Sequence, residues 1–307
     1  MNELINKLQL LEKETISNLG SSKSINTLRA YKSDFYDFEK FCTRFGFKSL
    51  PSDPKTISLY LTDLSNKCKF STLKRRLASI NVIHKIKGFH IDIKHPIITE
   101  NLIGIKRKIG FYQKGKKPLL INYLYQIIDL INQNQVNKNL QLLRDKAIIL
   151  LGFAGGFRRS ELVSLKKSDL EFISEGVKIT LRKSKIDQYG QGLIKGIPYF
   201  KNTKYCPVLA VKEWISSSDN LGEEKLFPYS DKTVALIVKK YLALIGQDSK
   251  QYSGHSLRSG FATSTAAAGA DERSIMAMTG HKSTEMVRRY IKETNLFKNN
   301  ALNNLKN

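Results

Sequence analysis

Apolar residues return every three or four positions through the first third of the chain. In INTLRAYKSDFYDFEKFCTRFG the series Leu28, Tyr31, Phe35, Phe38, Cys42 and Phe45 marks one helical face, and Gly46 ends it. DPKTISLYLTDLSNK predicts a second helix, with Asp53 as N-cap and Pro54 at the first helical position, where a missing N–H costs nothing. STLKRRLASINVIHKIKG predicts a third, opened by a Ser cap and stopped at Gly88. Its Leu73, Leu77, Ile80 and Ile83 face inward, and Lys74, Arg75 and Arg76 cluster near its start. A fourth begins after Pro96 and runs out in IKRKIG. The short basic stretch FYQKGKKP (111–118) reads as a linker, which divides the chain into 1–110 and 119–307.

Beyond Pro118 the period is mixed. Helices are expected at about 119–133 and 139–154. VKITLRKS then alternates with period two, meets the turn-like DQYGQG, and is answered by LIKGIPYF, which together predict a β-hairpin. Helices resume near Val208, with Trp214 on the first of them, recur near Thr233 and dominate from Ser256 onward. The expected class is therefore mainly α with a small antiparallel β-sheet (α+β). In the Asn-rich C-terminal stretch, Leu296, Phe297, Leu302 and Leu305 keep a helical spacing, so a short packed helix is expected there.

Charge changes the picture. The chain carries 51 Lys+Arg against 27 Asp+Glu, a formal net charge of +24. Such an excess points to a polyanion, either nucleic acid or an acidic membrane surface. The first 110 residues hold 20 basic and 10 acidic side chains and the rest hold 31 and 17, so both domains are cationic and share one anionic ligand. Cys42, Cys68 and Cys206 are far apart and form no CxxC pair, which fits a reduced cytosol and argues against a disulfide framework or a thiolate zinc site. The opening MNELINKLQLLEKETISNLG is charged throughout, unlike a signal peptide, and no stretch is long and apolar enough for a bilayer. The expectation is a soluble, cytoplasmic protein with no membrane partner.

Candidate chemistry sits in separate segments. In SGHSLRSGFAT, Ser253 or Ser256 can cap a helix whose first turn puts His255 and Arg258 on one face, an arrangement suited to an anion. In LLGFAGGFRRSELVSL a helix runs into Gly155 and Gly156, and Arg158, Arg159 and Glu161 follow. Lys185 stands just past the first hairpin strand. In MTGHKSTEMVRRY, Gly280 ends a helix, His281 follows, Ser283 or Thr284 caps the next, and Tyr290 lies on it beside Arg288 and Arg289. Each segment alone also fits an ordinary capped helix, a solvated charge or a packing tyrosine.

In chain order, Arg158-x-Ser-Glu, Lys185, His255-x-x-Arg258, Gly280-His281 and Tyr290 resemble the tyrosine recombinase (phage integrase) family. NTLRAYKSDFYDFEKFC and STLKRRLASINVIHK look like the helical core-binding domain of its simple Cre/Xer-like two-domain members, so the resemblance covers nearly the whole chain. Gly-Gly-Phe stands before Arg158 where Thr-Gly-Leu is commoner, and His281 stands where some members have Trp. The resemblance implies a helical, SAM-like DNA-binding domain over 1–110 and a catalytic domain over 119–307. It makes Tyr290 the nucleophile of a site-specific recombinase that cleaves and rejoins DNA through a 3′-phosphotyrosyl link.

By the same resemblance Arg158 and Arg258 grip the phosphate, Lys185 gives a proton to the leaving oxygen, and His255 takes the tyrosine's proton. His281 donates a hydrogen bond to the phosphate, and Glu161 orients one of these groups from behind. Exchange of one ester for another conserves the bond. Accordingly no P-loop or acidic two-metal triad stands out in the sequence, and no cofactor or metal is expected. The implied partners are double-stranded DNA with a specific recombination site and further copies of the chain, four of them when two sites are joined, in a nucleoid-associated location. Lys74, Arg75 and Arg76 are the candidate DNA contacts, and the apolar positions after Thr294 are expected to dock on a neighbouring copy. Two other readings stay open. DERSIMAMTGHKSTEMVRRYIK also scans as the helix-turn-helix of a non-enzymatic regulator. A type IB topoisomerase would share the chemistry.

Overall fold

Ser24 closes the start of the first helix by accepting the amide of Thr27 at 3.3 Å, and Gly46, at φ 70°, closes its end. This helix, α1 (Ile25–Phe45), belongs to a computed structural model that describes residues 23–110, 115–134, 139–182, 192–218, 222, 224–281 and 283–295, with scattered positions nearer both ends. The chain divides into two compact units, Met1–Lys114 and Gly115–Asn307.

In the first unit α1 is followed by α2 (Pro54–Ser65), α3 (Phe70–Ile86) and α4 (Pro96–Ile109). Asp53 caps α2 through the amides of Lys55 and Thr56, as its position before Pro54 predicts. Phe38, Ile57, Leu61, Leu73, Ile80 and Ile98 are fully buried at the centre. Three details depart from the periodic reading. Helix α3 starts at Phe70, behind Lys69, which makes no side-chain cap. Phe45, the last residue of the helix, is 48% exposed and stands beside Phe41 and Phe47 rather than in the core. Asp34 is buried on α1, where Arg75 meets it at 3.0 Å.

The second unit comprises α5 (Ile121–Gln133), α6 (Leu140–Ala154), α7 (Arg159–Ser164), strands β1 (Leu170–Phe172), β2 (Gly176–Leu181) and β3 (Leu193–Pro198), then α8 (Pro207–Ser218), α9 (Asp231–Leu244), α10 (Ser256–Ala267), α11 (Glu272–Thr279) and α12 (Thr284–Asn295). The sheet runs β1-β2-β3, antiparallel throughout, with Ile179 opposite Lys195. Helix α6 is buried almost without interruption from Ala147 to Ala154 and forms the axis of the core. The expected hairpin is thus a three-stranded sheet, and β1 is too short to leave a period in the sequence.

Of the expected linker 111–118, residues 111–114 lie outside the described residues, and 115–118 belong to the second unit. The amide of Lys117 donates to Gln251 at 2.8 Å and that of Leu119 to Ser256 at 2.9 Å, which fixes this segment along α10. The approach is so close that a Cβ on Gly260 would stand 1.9 Å from the Leu119 carbonyl oxygen. Only glycine fits there.

Candidate active site

Helix α6 ends at Ala154, and two glycines turn the chain back. Gly156 has φ 54°, a conformation L side chains avoid, and it faces Thr279 and Phe261. The turn delivers Arg158 to the N-cap of α7. There Glu161 accepts the Arg158 amide at 2.9 Å through one carboxylate oxygen and its guanidinium through the other. Glu161 is 4% exposed, so this ion pair is held away from solvent. Glu161 therefore orients Arg158; the sequence left open which of the site groups it would hold.

Arg258 lies one turn into α10 and is 5% exposed. Its Nη1 donates to the Gly156 carbonyl at 2.9 Å, while Nη2 is buried and has no hydrogen-bond partner among the described residues. Burial and the nearby Arg158 lower its pKa to about 10, against the opposing pull of Glu161 and Tyr290. A buried guanidinium N–H without a partner is costly unless an acceptor arrives. The exposed His255 is itself the N-cap residue of α10 and has no side-chain cap bond, so neither serine plays the expected role. Ser253 instead accepts the His255 amide, and Ser256 accepts the Ser253 amide.

His281 follows Gly280, whose left-handed conformation closes α11. The Thr279 hydroxyl lies 2.6 Å from the Ile275 carbonyl and 2.8 Å from His281 Nδ1. A carbonyl only accepts, so the hydroxyl's single hydrogen points to Ile275, and Nδ1 must carry its own proton and donate to Thr279. Burial, then Arg258, Arg158 and Lys195, hold the His281 pKa down at about 4. At neutral pH its Nε2 is therefore an acceptor. Donation from Nε2 to a phosphate, the role the resemblance implies, requires a second proton.

Tyr290 sits half-buried on α12, which Ser283 caps through the Glu285 amide. Its ring lies 6.4 Å from that of His281, and it packs on a small cluster of Ala262, Ala266, Ile275 and Val287. Arg158, His255, Arg258, His281 and Tyr290, drawn from three separate segments, line one cleft of about 440 Å³. Lys116 also lines it, fixed by donating to the Lys250 carbonyl at 2.6 Å. Among the described residues no cluster of His, Cys, Asp and Glu is arranged to hold a metal.

Other expected residues stand elsewhere. Lys185 and the hairpin tip lie outside the described residues. Arg76 is directed inward to Asp37 and the Tyr60 hydroxyl and is only 16% exposed, so its guanidinium is occupied by the first unit's own packing. Arg75 pairs with Asp34, and Lys74 stands exposed with its ammonium over the Phe70 ring. Two contributors went unread in the sequence, Thr279 and the buried Lys195. The second had a signal, since it occupies an inward place in the alternation of LIKGIP.

Residues 123–296 match the model of the phage integrase family. The chain belongs to the phage integrase family. Members of this tyrosine recombinase class are enzymes that cleave and rejoin DNA. The chain is 42% identical over 303 residues to an integrase/recombinase XerD homolog of Selenomonas ruminantium, covering 94% of this chain and 88% of that protein. It is 29% identical over 276 residues to a tyrosine recombinase of Agathobacter rectalis, covering 86% and 85%. Among solved structures it is similar to the XerH site-specific recombinase bound to a palindromic difH substrate, with a TM-score of 0.62, 16% identity, and coverage of 85% of this chain and 76% of that one. A second is the Tn1549 transposon integrase in complex with transposon right end DNA, with a TM-score of 0.60, 19% identity, and coverage of 96% and 98%. These two structures carry the integrase fold, mostly helical with a small antiparallel sheet, as this chain does. The segment that scans as helix-turn-helix does fold as helix, glycine turn and helix, but this integrase turns His281 and Tyr290 of it into the cleft.

Proposed function

We propose that this integrase is a site-specific DNA recombinase in which Tyr290 attacks the scissile phosphodiester. The observation that carries the reading is the buried Nη2 of Arg258, which has no hydrogen-bond partner among the described residues, in a cleft shared with Arg158, His255, His281 and Tyr290. A phosphodiester supplies the missing acceptor, and its non-bridging oxygens gain charge in the transition state, where two fixed guanidiniums hold them most strongly. The Tyr290 oxygen forms a bond to phosphorus as the bond to the 5′ oxygen breaks. The phenolic proton passes to His255, and Lys185 gives a proton to the departing oxygen. The 3′-phosphotyrosyl link is then attacked by a 5′ hydroxyl of another strand, and both protons return.

The first unit serves as the core-binding domain, with Lys74 the best placed of its three candidate contacts. Two sites are joined by four copies, with the segment after Thr294 docking on a neighbour, at the nucleoid in the cytoplasm. A duplex nicked just beside the cleavage position loses its short 5′ fragment and traps the covalent enzyme, and this tests the reading. Wild type should give a slow-migrating adduct that survives denaturation, and Tyr290→Phe should bind the same DNA without one. An adduct from Tyr290→Phe would overturn the assignment. Trapping at a defined site, rather than at any duplex sequence, separates a recombinase from a type IB topoisomerase.

A further inference from the structure

Lys195 occupies the third position of β3, between Leu193 and Ile197, on the face turned to the core. It is 2% exposed and opposes the fully buried Ile179. An ammonium in such a place is expensive unless something specific receives it. Two groups do. Its Nζ donates to the Gly155 carbonyl at 2.7 Å and lies over the Phe157 ring, 4.4 Å from the centroid. The charges around it are Glu161 and Arg158 at the head of α7, Arg258 on α10, and beyond them His281.

The turn between α6 and α7 is thereby held at every step. Lys195 takes the Gly155 carbonyl, Arg258 takes the Gly156 carbonyl at 2.9 Å, the Phe157 amide donates to Gly152 at 3.3 Å, and the Arg158 amide donates to Glu161. The departure from Thr-Gly-Leu to Gly-Gly-Phe then has a physical account. Phe157 folds back over Gly155 so closely that a Cβ there would stand 2.0 Å from the ring, and the folded ring presents its face to the ammonium. A threonine in place of Gly155 would push the ring away. Glycine, phenylalanine and buried lysine are one unit.

We propose that Lys195 is a positioning residue for strand cleavage: from within the sheet it fixes the Gly155–Phe157 turn and thereby sets the Arg158 guanidinium against Glu161 at the phosphate. It does not line the cleft and touches no reacting atom. Burial lowers its pKa to about 8, with Glu161 acting to raise it and Arg258 and Arg158 to lower it further, so its charge is lost just above neutrality.

The inference rests on the recombinase reading, and the test keeps the two apart. Full-length wild type, Lys195→Met and Lys195→Gln are compared on the nicked trapping duplex, with melting temperature and half-site binding measured for each. Both variants should bind DNA within threefold of wild type and form the adduct roughly 100-fold more slowly, as a misplaced but intact site does. Wild-type trapping should lose rate between pH 7 and 9 by a step that Lys195→Met lacks. Trapping within threefold of wild type by a folded variant overturns the proposal. So does loss of folding in both variants, which would make Lys195 a stability residue only. If wild type itself forms no adduct, the recombinase reading has failed rather than this inference.

Discussion

Arg258 donates to the Gly156 carbonyl from 102 positions along the chain, and that single 2.9 Å bond leaves its second terminal nitrogen buried and waiting. In the proposed mechanism the division of labour is one nitrogen for the fold and one for the ligand. Arg258→Lys keeps the charge but has one nitrogen for both tasks. Cleavage of the trapping duplex should fall 100- to 1,000-fold, roughly the cost of one oxyanion donor, while half-site binding changes less than tenfold. Equal losses in both would mean that Arg258 contributes to ground-state binding alone.

His281 gives the site an acidic signature. Its folded pKa of about 4 lies below the ordinary 6.5, so between these values the unfolded chain holds the extra proton. Its share of stability is full above about pH 6.5 and is lost as pH falls toward 4, at most about 3 kcal/mol. A phosphodiester in the cleft favours the protonated ring, so DNA binding near pH 5.5 should take up a proton. Calorimetry in buffers of different ionisation enthalpy measures that uptake, and His281→Phe should abolish it. An uptake that survives the substitution would place the proton elsewhere.

Arg76 and Lys74 should behave as opposites, although they are two residues apart. Arg76→Ala removes the guanidinium that joins Asp37 and the Tyr60 hydroxyl and leaves the buried Asp34 to Arg75 alone, so the melting temperature should drop, by about 1–2 kcal/mol of stability. Lys74→Ala should leave melting unchanged and lower the slope of log K against log salt by about one contact. The two variants exchanging these phenotypes would show that the third helix faces DNA differently.

Strand cleavage should proceed undiminished in excess EDTA. Arg158 and Arg258 line one cleft, and in the proposed mechanism they bring two positive charges to the phosphate, the work a divalent ion would otherwise do. A rate restored by added Mg²⁺ after chelation would contradict this.

The helices announced themselves where sharp local chemistry coincided with the apolar period, as at Asp53-Pro54 and Phe45-Gly46. Arg158, His255, Arg258 and His281 stand beside a glycine or in the first turn of a helix, where few residue types serve, whereas Tyr290 lies mid-helix and carries no such local mark. What escaped was tertiary. Asp34 and Arg76 look like surface charges in sequence, and only the packing of α1 on α3 buries them together. Lys195 shares the inward places of LIKGIP with Leu193 and Ile197, but only Gly155 and Phe157 beside it show what receives a charge there. The tautomer of His281 depends on a threonine hydroxyl whose other bond is to its own helix.

Tyr290 is not anchored in the main core. Its helix buries Val287 against Ala262, Ala266 and Ile275, and these four form a cluster of their own. Parting that seam exposes little apolar surface and leaves every strand of the sheet in place, so detachment of α12 costs far less than melting the domain. Arg158 and Arg258 on one side and Tyr290 on the other are therefore mounted on supports of unequal firmness. With the roles proposed above, such a mounting lets the enzyme hold a substrate while its blade is withdrawn.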